Sequence, residues 1–171
     1  MSFEQLARVE MDSFNLPGIS IDAESERDYL YKDLLSHTLG FVGEISSKEL
    51  KSKGRSGYVQ GDVIGKTGVE AVCEETLRGE KGNIAFEVDA LGRKIKVLEE
   101  RPPIKGREVK LTIDSRLQSI ARTALGDKPG AIVAVVPATG EVLAMASSPS
   151  FDPSIFLSPL TPEMWREIMD N

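Results

Sequence analysis

Few residues of this 171-residue chain have the type and spacing to do chemistry. Gly61-Asp62-Val63-Ile64-Gly65-Lys66-Thr67 approaches a phosphate-binding loop, whose backbone N–H groups cradle phosphates beside a lysine. That loop needs four residues between its glycines, and Gln60 stands where the first should be, so the N–H groups would not converge on one phosphate. His37 follows Ser36 directly. Adjacent residues do not face each other on a helix, so a structural histidine hydrogen-bonded near a turn is the expected role. Cys73 shares helical spacing with Val69, Val72 and Leu77, which predicts a buried, inert thiol. The acidic pairs Glu74-Glu75 and Glu99-Glu100 read as solvated faces.

Lys66-Thr67-Gly68 spells the triplet that assists a serine nucleophile in penicillin-recognising enzymes, and Ser13-Phe14-Asn15 spells a Ser-x-Asn. No serine here is followed three residues later by lysine, so the nucleophile those triplets would assist is missing. No catalytic residue is assigned, and the chain itself is expected to be inactive. The 21 Lys and Arg against 27 Asp and Glu give a net charge of -6, which disfavours a broad basic surface for nucleic acid. One cysteine and one histidine exclude an intramolecular disulfide and Cys- or His-rich metal sites, so no metal and no cofactor is assigned. The longest apolar run, Ala131 to Val136, is far below the ~20 residues that span a membrane. The N-terminus lacks the basic, apolar and small-residue order of a signal peptide.

Several elements would have to position these residues. The stretch to about Asn15 fits a helix loosely, and after Leu16-Pro17-Gly18 the alternation of Ile19 and Ile21, repeated by Tyr29 and Tyr31, predicts short strands. Ser36 to Val42 reads as a short helix running into a strand. Ser46 to Lys53 predicts a surface helix, with Ser46 as N-cap, Glu49 at the capping-box position and Gly54 as stop. Gly54 to Gly61 is a polar loop. A single helix is predicted from Thr67 through Val69, Val72, Cys73 and Leu77, ending at Arg78-Gly79. Phe86 and Val88 against Ile95 and Val97 predict a hairpin, and Arg101-Pro102-Pro103 a stiff connector and domain boundary. Beyond it, Val109, Leu111 and Ile113 predict a strand. Asp114 then caps a helix with Leu117, Ile120, Ala121, Ala124 and Leu125 on one face. Ala131 to Val136 and Glu141 to Ala146 form a hairpin about Pro137-Ala138-Thr139-Gly140, its first strand apolar on both faces and so expecting cover on each. A last helix starts at Thr161-Pro162 and includes Trp165 and Ile168.

Taken in order, four stretches resemble one family. Gly65-Lys66-Thr67-Gly68-Val69-Glu70, Glu74, Leu77-Arg78-Gly79 and Gly82 resemble the G-x-x-G-(I/V)-E-x-x-Y-E-x-x-L-x-G-x-x-G signature of the non-catalytic dimerisation, or pedestal, region of class B penicillin-binding proteins. Arg27, Tyr29 and Ser36 to Gly43, including His37 and Gly40, resemble the upstream part of that pedestal. Pro102-Pro103, Gly106 and Leu111-Thr112-Ile113-Asp114 with Leu117-Gln118 resemble the lead into the transpeptidase domain. Ala131 to Met145, with Thr139 and Gly140 at its turn, resembles that domain's first hairpin. The gap from Gln118 to Ala131 and the ending Pro149 to Phe156 look more like the elongation-type branch, penicillin-binding protein 2, than the division type. Cys73 replaces the family's usual tyrosine, and Leu30 stands where proline is common.

The resemblance implies an α+β fold: an elongated pedestal of small twisted antiparallel sheets with short helices over residues 1–103, then a partial α/β transpeptidase layer over 104–171. It implies a chain cut before the catalytic serine of a membrane-anchored peptidoglycan transpeptidase, lying on the periplasmic side of the inner membrane. The implied partners are MreC and RodA of the cell-elongation machinery, with peptidoglycan reached only through the missing catalytic domain. Short elements joined by glycine-rich loops also imply a thin core and exposed apolar docking surfaces, for which Tyr29, Tyr31, Phe41, Val69 and Val72 are the candidates. Three alternatives stay open: a division-type pedestal, a stand-alone interaction module, and a P-loop-like nucleotide binder.

Overall fold

Two polar residues placed by the sequence to cap helices do so in the computed structural model, which describes residues 3–12, 16, 26–53, 57–90, 94–157, 161 and 166. Ser46 Oγ accepts from Glu49 N at 3.3 Å while the Glu49 carboxylate accepts from Ser46 N at 2.8 Å, the reciprocal exchange of a capping box. Asp114 Oδ1 accepts from the backbone N–H groups of Arg116 and Leu117. In chain order the helices are α1 Phe3–Met11, α2 Ser36–Leu39, α3 Ser47–Lys53, α4 Gly68–Val72, α5 Glu74–Leu77 and α6 Ser115–Leu125. The strands are β1 Val42–Glu44, β2 Val63–Gly65, β3 Asn83–Val88, β4 Lys94–Arg101, β5 Gly130–Val135 and β6 Val142–Ser148, with 3-10 turns at Lys32–Leu35 and Pro153–Leu157. The strands pair as three separate two-stranded antiparallel sheets, β1-β2, β3-β4 and β5-β6. The α+β class with small antiparallel sheets is as expected.

Contacts divide the chain into two units that do not follow chain order. One comprises Met1–Glu26 and Lys81–Ile104, and holds α1 and the β3-β4 hairpin. Ile84, Phe86 and Val88 line one hairpin face with Val97, all partly exposed, while Glu87 pairs with Lys96 on the other. The other unit comprises Arg27–Glu80 and Lys105–Asn171 and contains two small cores. Ile45, Tyr58 and Ile64 form one with Leu50. Ala121, Ala144 and Ala146 form the second, flanked by Leu117, Ile132 and Ala134.

Glycines let the backbones of this second unit close up. Gly40 (φ +76°) and Gly68 (φ +59°) sit back to back, and a Cβ on Gly40 would come within 2.0 Å of Thr67 O. No side chain fits there. Gly65 lies against α4, where a Cβ would meet Glu70 C and O at 2.2 Å.

Several expectations are corrected. Tyr29 and Tyr31 are not in a strand: the chain turns at Leu30-Tyr31 into the 3-10 helix. The helix expected from Thr67 to Leu77 is two, broken at Cys73, and Val72 is 86% exposed while Glu70 and Glu74 are buried. Cys73 is only half-buried, because the break takes it off any continuous stripe. Glu74 is therefore not on a solvated face, although Glu75, Glu99 and Glu100 are exposed. Residues 105–113 form no regular strand. Thr112 Oγ1 donates to Val142 O of β6, and Asp114 N, just after the segment, donates to Leu143 O. On α6 the inward face is Leu117, Gln118, Ala121 and Leu125, with Ile120 64% exposed and Ala124 also outside. One face of β5 packs under α6, but Val133 and Val135 on the other are about half exposed. The Ile19/Ile21 strand, the stop at Gly54 and most of the helix from Thr161 lie outside the described residues.

Candidate functional site

The pedestal-like motif converges on one buried polar joint in the second unit. The break at Cys73 rotates α5 so that Glu74, 6% exposed, points inward between β2 and the loop at Tyr58. Tyr58 Oη donates to Glu74 Oε1 at 2.8 Å, and Gly65 N donates to Glu74 Oε2 at 2.8 Å. Both carboxylate oxygens are thus used, one on a side chain and one on a strand. One turn earlier, Glu70 pairs with Arg27, Nη2 to Oε2 at 3.0 Å, and this ties the start of the unit to α4. Tyr29 is buried beside them, its hydroxyl accepting from Val42 N at 3.1 Å. Lys66 reaches the capping-box Glu49 at 2.6 Å, joining the β2 end to α3.

Arg78 closes the joint from the other side. Its guanidinium lies 3.5 Å above the Tyr58 ring and donates to Gly57 O at 2.7 Å, a cation–π contact on a residue already fixed by Glu74. Leu77 contributes its carbonyl: Gly106 packs so close that a Cβ there would lie 2.0 Å from Leu77 O, and Arg107 N donates to Thr76 O.

The electrostatics are those of a structural joint. Burial, then the Glu74 hydrogen bond, pushes the Tyr58 hydroxyl up to about 12. Burial and the negative Glu70 push Tyr29 up as well. The hydrogen bonds from Lys66 and Ser46 hold Glu49 down at about 2. At neutral pH these shifts keep the Tyr58 and Tyr29 hydroxyls protonated and the Glu49 carboxylate ionised.

A second cluster gathers residues expected to be separate. His37 Nε2 lies 2.9 Å from Pro149 O, the turn-anchored role expected of it, and its ring meets Phe151 edge-on. Phe41 stacks on Phe156 with ring centroids 3.8 Å apart, and Phe151 packs edge-on to both. Of the docking candidates, then, Tyr29 is buried and Phe41 is packed within the chain. Val69 is half-buried, Tyr31 is 49% exposed and Val72 is freely exposed.

The remaining motif positions lie apart from the joint. Gly79 (φ +71°) follows α5. Gly82 belongs to the hairpin unit, where it lies against Arg101 and Pro103. Asp114 caps α6. Thr139 and Gly140 turn β5 into β6, Thr139 Oγ1 donating to Glu141 at 2.8 Å. The phosphate-loop reading loses its loop, because Val63–Gly65 is a strand and the Gly65 N–H is spent on Glu74. Sequence reasoning missed Tyr58, Gln118, Phe151 and Phe156. Gln118 alone carried a signal, standing between Leu117 and Ala121 on the stripe that faces inward.

Comparison with known proteins gives one answer. The family described as the penicillin-binding protein dimerisation domain matches residues 1–111. Among curated proteins, the chain is 37% identical over 166 residues to the peptidoglycan D,D-transpeptidase MrdA of Acinetobacter baumannii, covering 97% of this chain and 25% of that protein. It is 33% identical over 171 residues to MrdA of Escherichia coli K12, covering 98% and 27%. The chain thus spans about a quarter of the length of these relatives. Among solved structures, the Helicobacter pylori penicillin-binding protein 2 in complex with MreC matches at a TM-score of 0.80 and 28% identity, over 100% of this chain and 32% of that one. Pseudomonas aeruginosa penicillin-binding protein 2 in complex with WCK 5153 matches at 0.69 and 36%, over 88% and 30%.

Proposed function

The chain belongs to the penicillin-binding protein dimerisation-domain family, and from that premise we propose that it is the non-catalytic stem of an elongation-type peptidoglycan D,D-transpeptidase. The observation that carries this reading is the likeness, along the whole chain, to a penicillin-binding protein 2 solved with MreC. In this reading residues 1–103 are the pedestal and 104–171 the first layer of the transpeptidase domain. The family match ending at residue 111 supports that division. The stem stands on the periplasmic face of the inner membrane, held by an anchor elsewhere in the parent protein. Among the described residues no helix is long and apolar enough to cross a membrane.

The parent's reaction is acyl transfer. A serine attacks the terminal D-Ala-D-Ala carbonyl of a stem peptide, D-alanine leaves, and an amine of a neighbouring strand takes the acyl group. This chain holds no Ser-x-x-Lys to do so. Its part is to hold the catalytic domain at a fixed attitude and to dock partners, MreC first and RodA second. The polar joint suits that role, since Glu70, Glu74, Arg27 and Tyr58 fix several backbone segments against one another. Tyr31 and Val72 offer apolar side chains to a partner.

Calorimetry against the MreC periplasmic domain tests the reading. A complex at tens of micromolar is expected, weakened by Val72→Arg, and no heat at that concentration overturns it. Fluorescent penicillin should label no band from this chain; a labelled band would overturn the assignment of a non-catalytic role.

A further inference from the structure

Gln118 is the most completely buried polar side chain of α6, and it does not serve the helix. Its Nε2 donates to Leu34 O at 2.8 Å and to Met145 O at 2.9 Å, while its Oε1 accepts from Met145 N at 2.7 Å. A single amide thus ties α6 to both backbone groups of one β6 residue and to the Leu34 carbonyl within the 3-10 helix. Around it the same two stretches meet again and again. Thr38 Oγ1 donates to Met145 O at 3.4 Å, His37 lies on Pro149 O, and Ser150 Oγ bonds Asp33 Oδ2 at 3.2 Å. Arg122 Nε is 3.9 Å from the same Asp33 oxygen, and Phe41 stacks on Phe156.

We propose that residues 33–41 and 145–156 form one cooperative clasp with Gln118 as its pin, so that whatever binds or moves the first stretch is felt in the second. The contacts between these two segments are of two kinds, hydrogen bonds and ring packing, spread along both, whereas a chance packing contact would hold at one point. Buried amides of this sort have steep consequences, because removing this one takes the side-chain partner from Leu34 O and from the Met145 N–H and leaves Met145 O to Thr38 alone. The deeper claim rests on the docking reading above: a partner seated beside Tyr31 would bias the segment beyond β6, the one that leads toward the parent's catalytic residues.

Peptide-resolved hydrogen exchange on the intact 171-residue chain tests the clasp. Gln118→Met keeps the volume and removes the three bonds. It should speed exchange about tenfold or more in peptides covering both 30–41 and 143–157, and leave β1, β2 and α4 unchanged. Phe156→Ala, at the far end, should loosen 30–41 as well. Loosening of 143–157 alone in either variant overturns the proposal. If Gln118→Met fails to fold, Gln118→Glu, which retains an acceptor for Met145 N, and Phe156→Ala decide it by the same readout. Adding the MreC periplasmic domain to wild type should slow exchange in 143–157. If MreC does not bind, the docking reading fails and the variants still judge the clasp; if it binds and 143–157 is unmoved, the coupling to docking is refuted.

Discussion

Replacing Glu74 by leucine should be among the most damaging single changes in the joint, and its size can be worked from two hydrogen bonds. Each ends on an ionised oxygen in a buried site, Tyr58 Oη at 2.8 Å and Gly65 N at 2.8 Å. Bonds to charged groups contribute roughly 1.5–3 kcal/mol each, and a buried donor that loses its acceptor costs about 1–3 kcal/mol. The two share one carboxylate and do not add fully, so a loss of about 3–4 kcal/mol is expected. Glutamine should do much better. Its Oε1 can accept from Gly65 N while its amide donates to the Tyr58 oxygen, since a phenol both donates and accepts; a loss of about 1 kcal/mol follows. Glu75→Leu, one residue on and exposed, should stay within about 0.5 kcal/mol. Urea unfolding followed by circular dichroism measures all three, compared at constant m. Two results would refute the reasoning: Glu74→Leu no worse than Glu75→Leu, or Glu74→Gln as damaging as Glu74→Leu.

The ionisable groups give two pH predictions of opposite sign. Glu49 falls from 4.5 to about 2 on folding, so its stabilisation is present above pH 4.5 and is lost as pH drops toward 2; Glu49→Gln should flatten an acid unfolding curve in that window. The effect will be modest and salt-sensitive, because the Glu49 side chain is about one-third exposed. Tyr58 rises from 10 to about 12, so the joint is intact below pH 10 and weakens as pH climbs toward 12. In an ultraviolet tyrosinate titration, Tyr58→Phe should remove the contribution near pH 12 and leave that of Tyr29, which is also raised. Among glycines, Gly40→Ala should abolish folding, since its Cβ would sit 2.0 Å from Thr67 O. Gly140→Ala, with a similar φ of +78° but nothing within 4 Å, should cost only about 1–2 kcal/mol in thermal or urea melts.

What could be read from the sequence was local, and what could not was the distant partner. Ser46 and Glu49 declare their capping box within four residues, and Asp114 its cap within three. The β3-β4 hairpin announces itself by alternation, and the β5-β6 hairpin by an apolar run closed by the turn Pro137 to Gly140. Glu74 could not be placed that way, because a carboxylate counts as solvent-facing until Tyr58, 16 residues upstream, and the Gly65 N–H are known to meet it. The same blindness split the expected helix: apolar spacing joined Val69 to Leu77 into one stripe, whereas the burial of Glu70 and Glu74 turns Val72 outward. On α6 a stripe built from apolar residues included Ile120 and Ala124 and passed over Gln118.

These errors share a cause that bears on how the stem works. Among the described residues the buried members of the core beneath α6 are all alanines, so apolar burial there gives little registration between α6 and β6. Hydrophobic contact is non-directional; a β6 strand slid along α6 would still bury alanines. Gln118 and Glu74 are directional, each satisfied only when particular backbone groups stand opposite it. The proposed role, holding another domain at one attitude, would require that kind of constraint. Its cost is exposure to failure, since the polar alternative to a satisfied joint is a set of buried groups without partners. The prediction that separates this account from a merely stabilising one concerns Gln118→Leu against Ala121→Gly. Both should lower the midpoint of urea unfolding, but only the first should also broaden the amide resonances of residues 33–41 and 145–156 below the transition, where the fold persists and its register does not. Equal sharpness in the two spectra would mean that these polar groups add stability without fixing position.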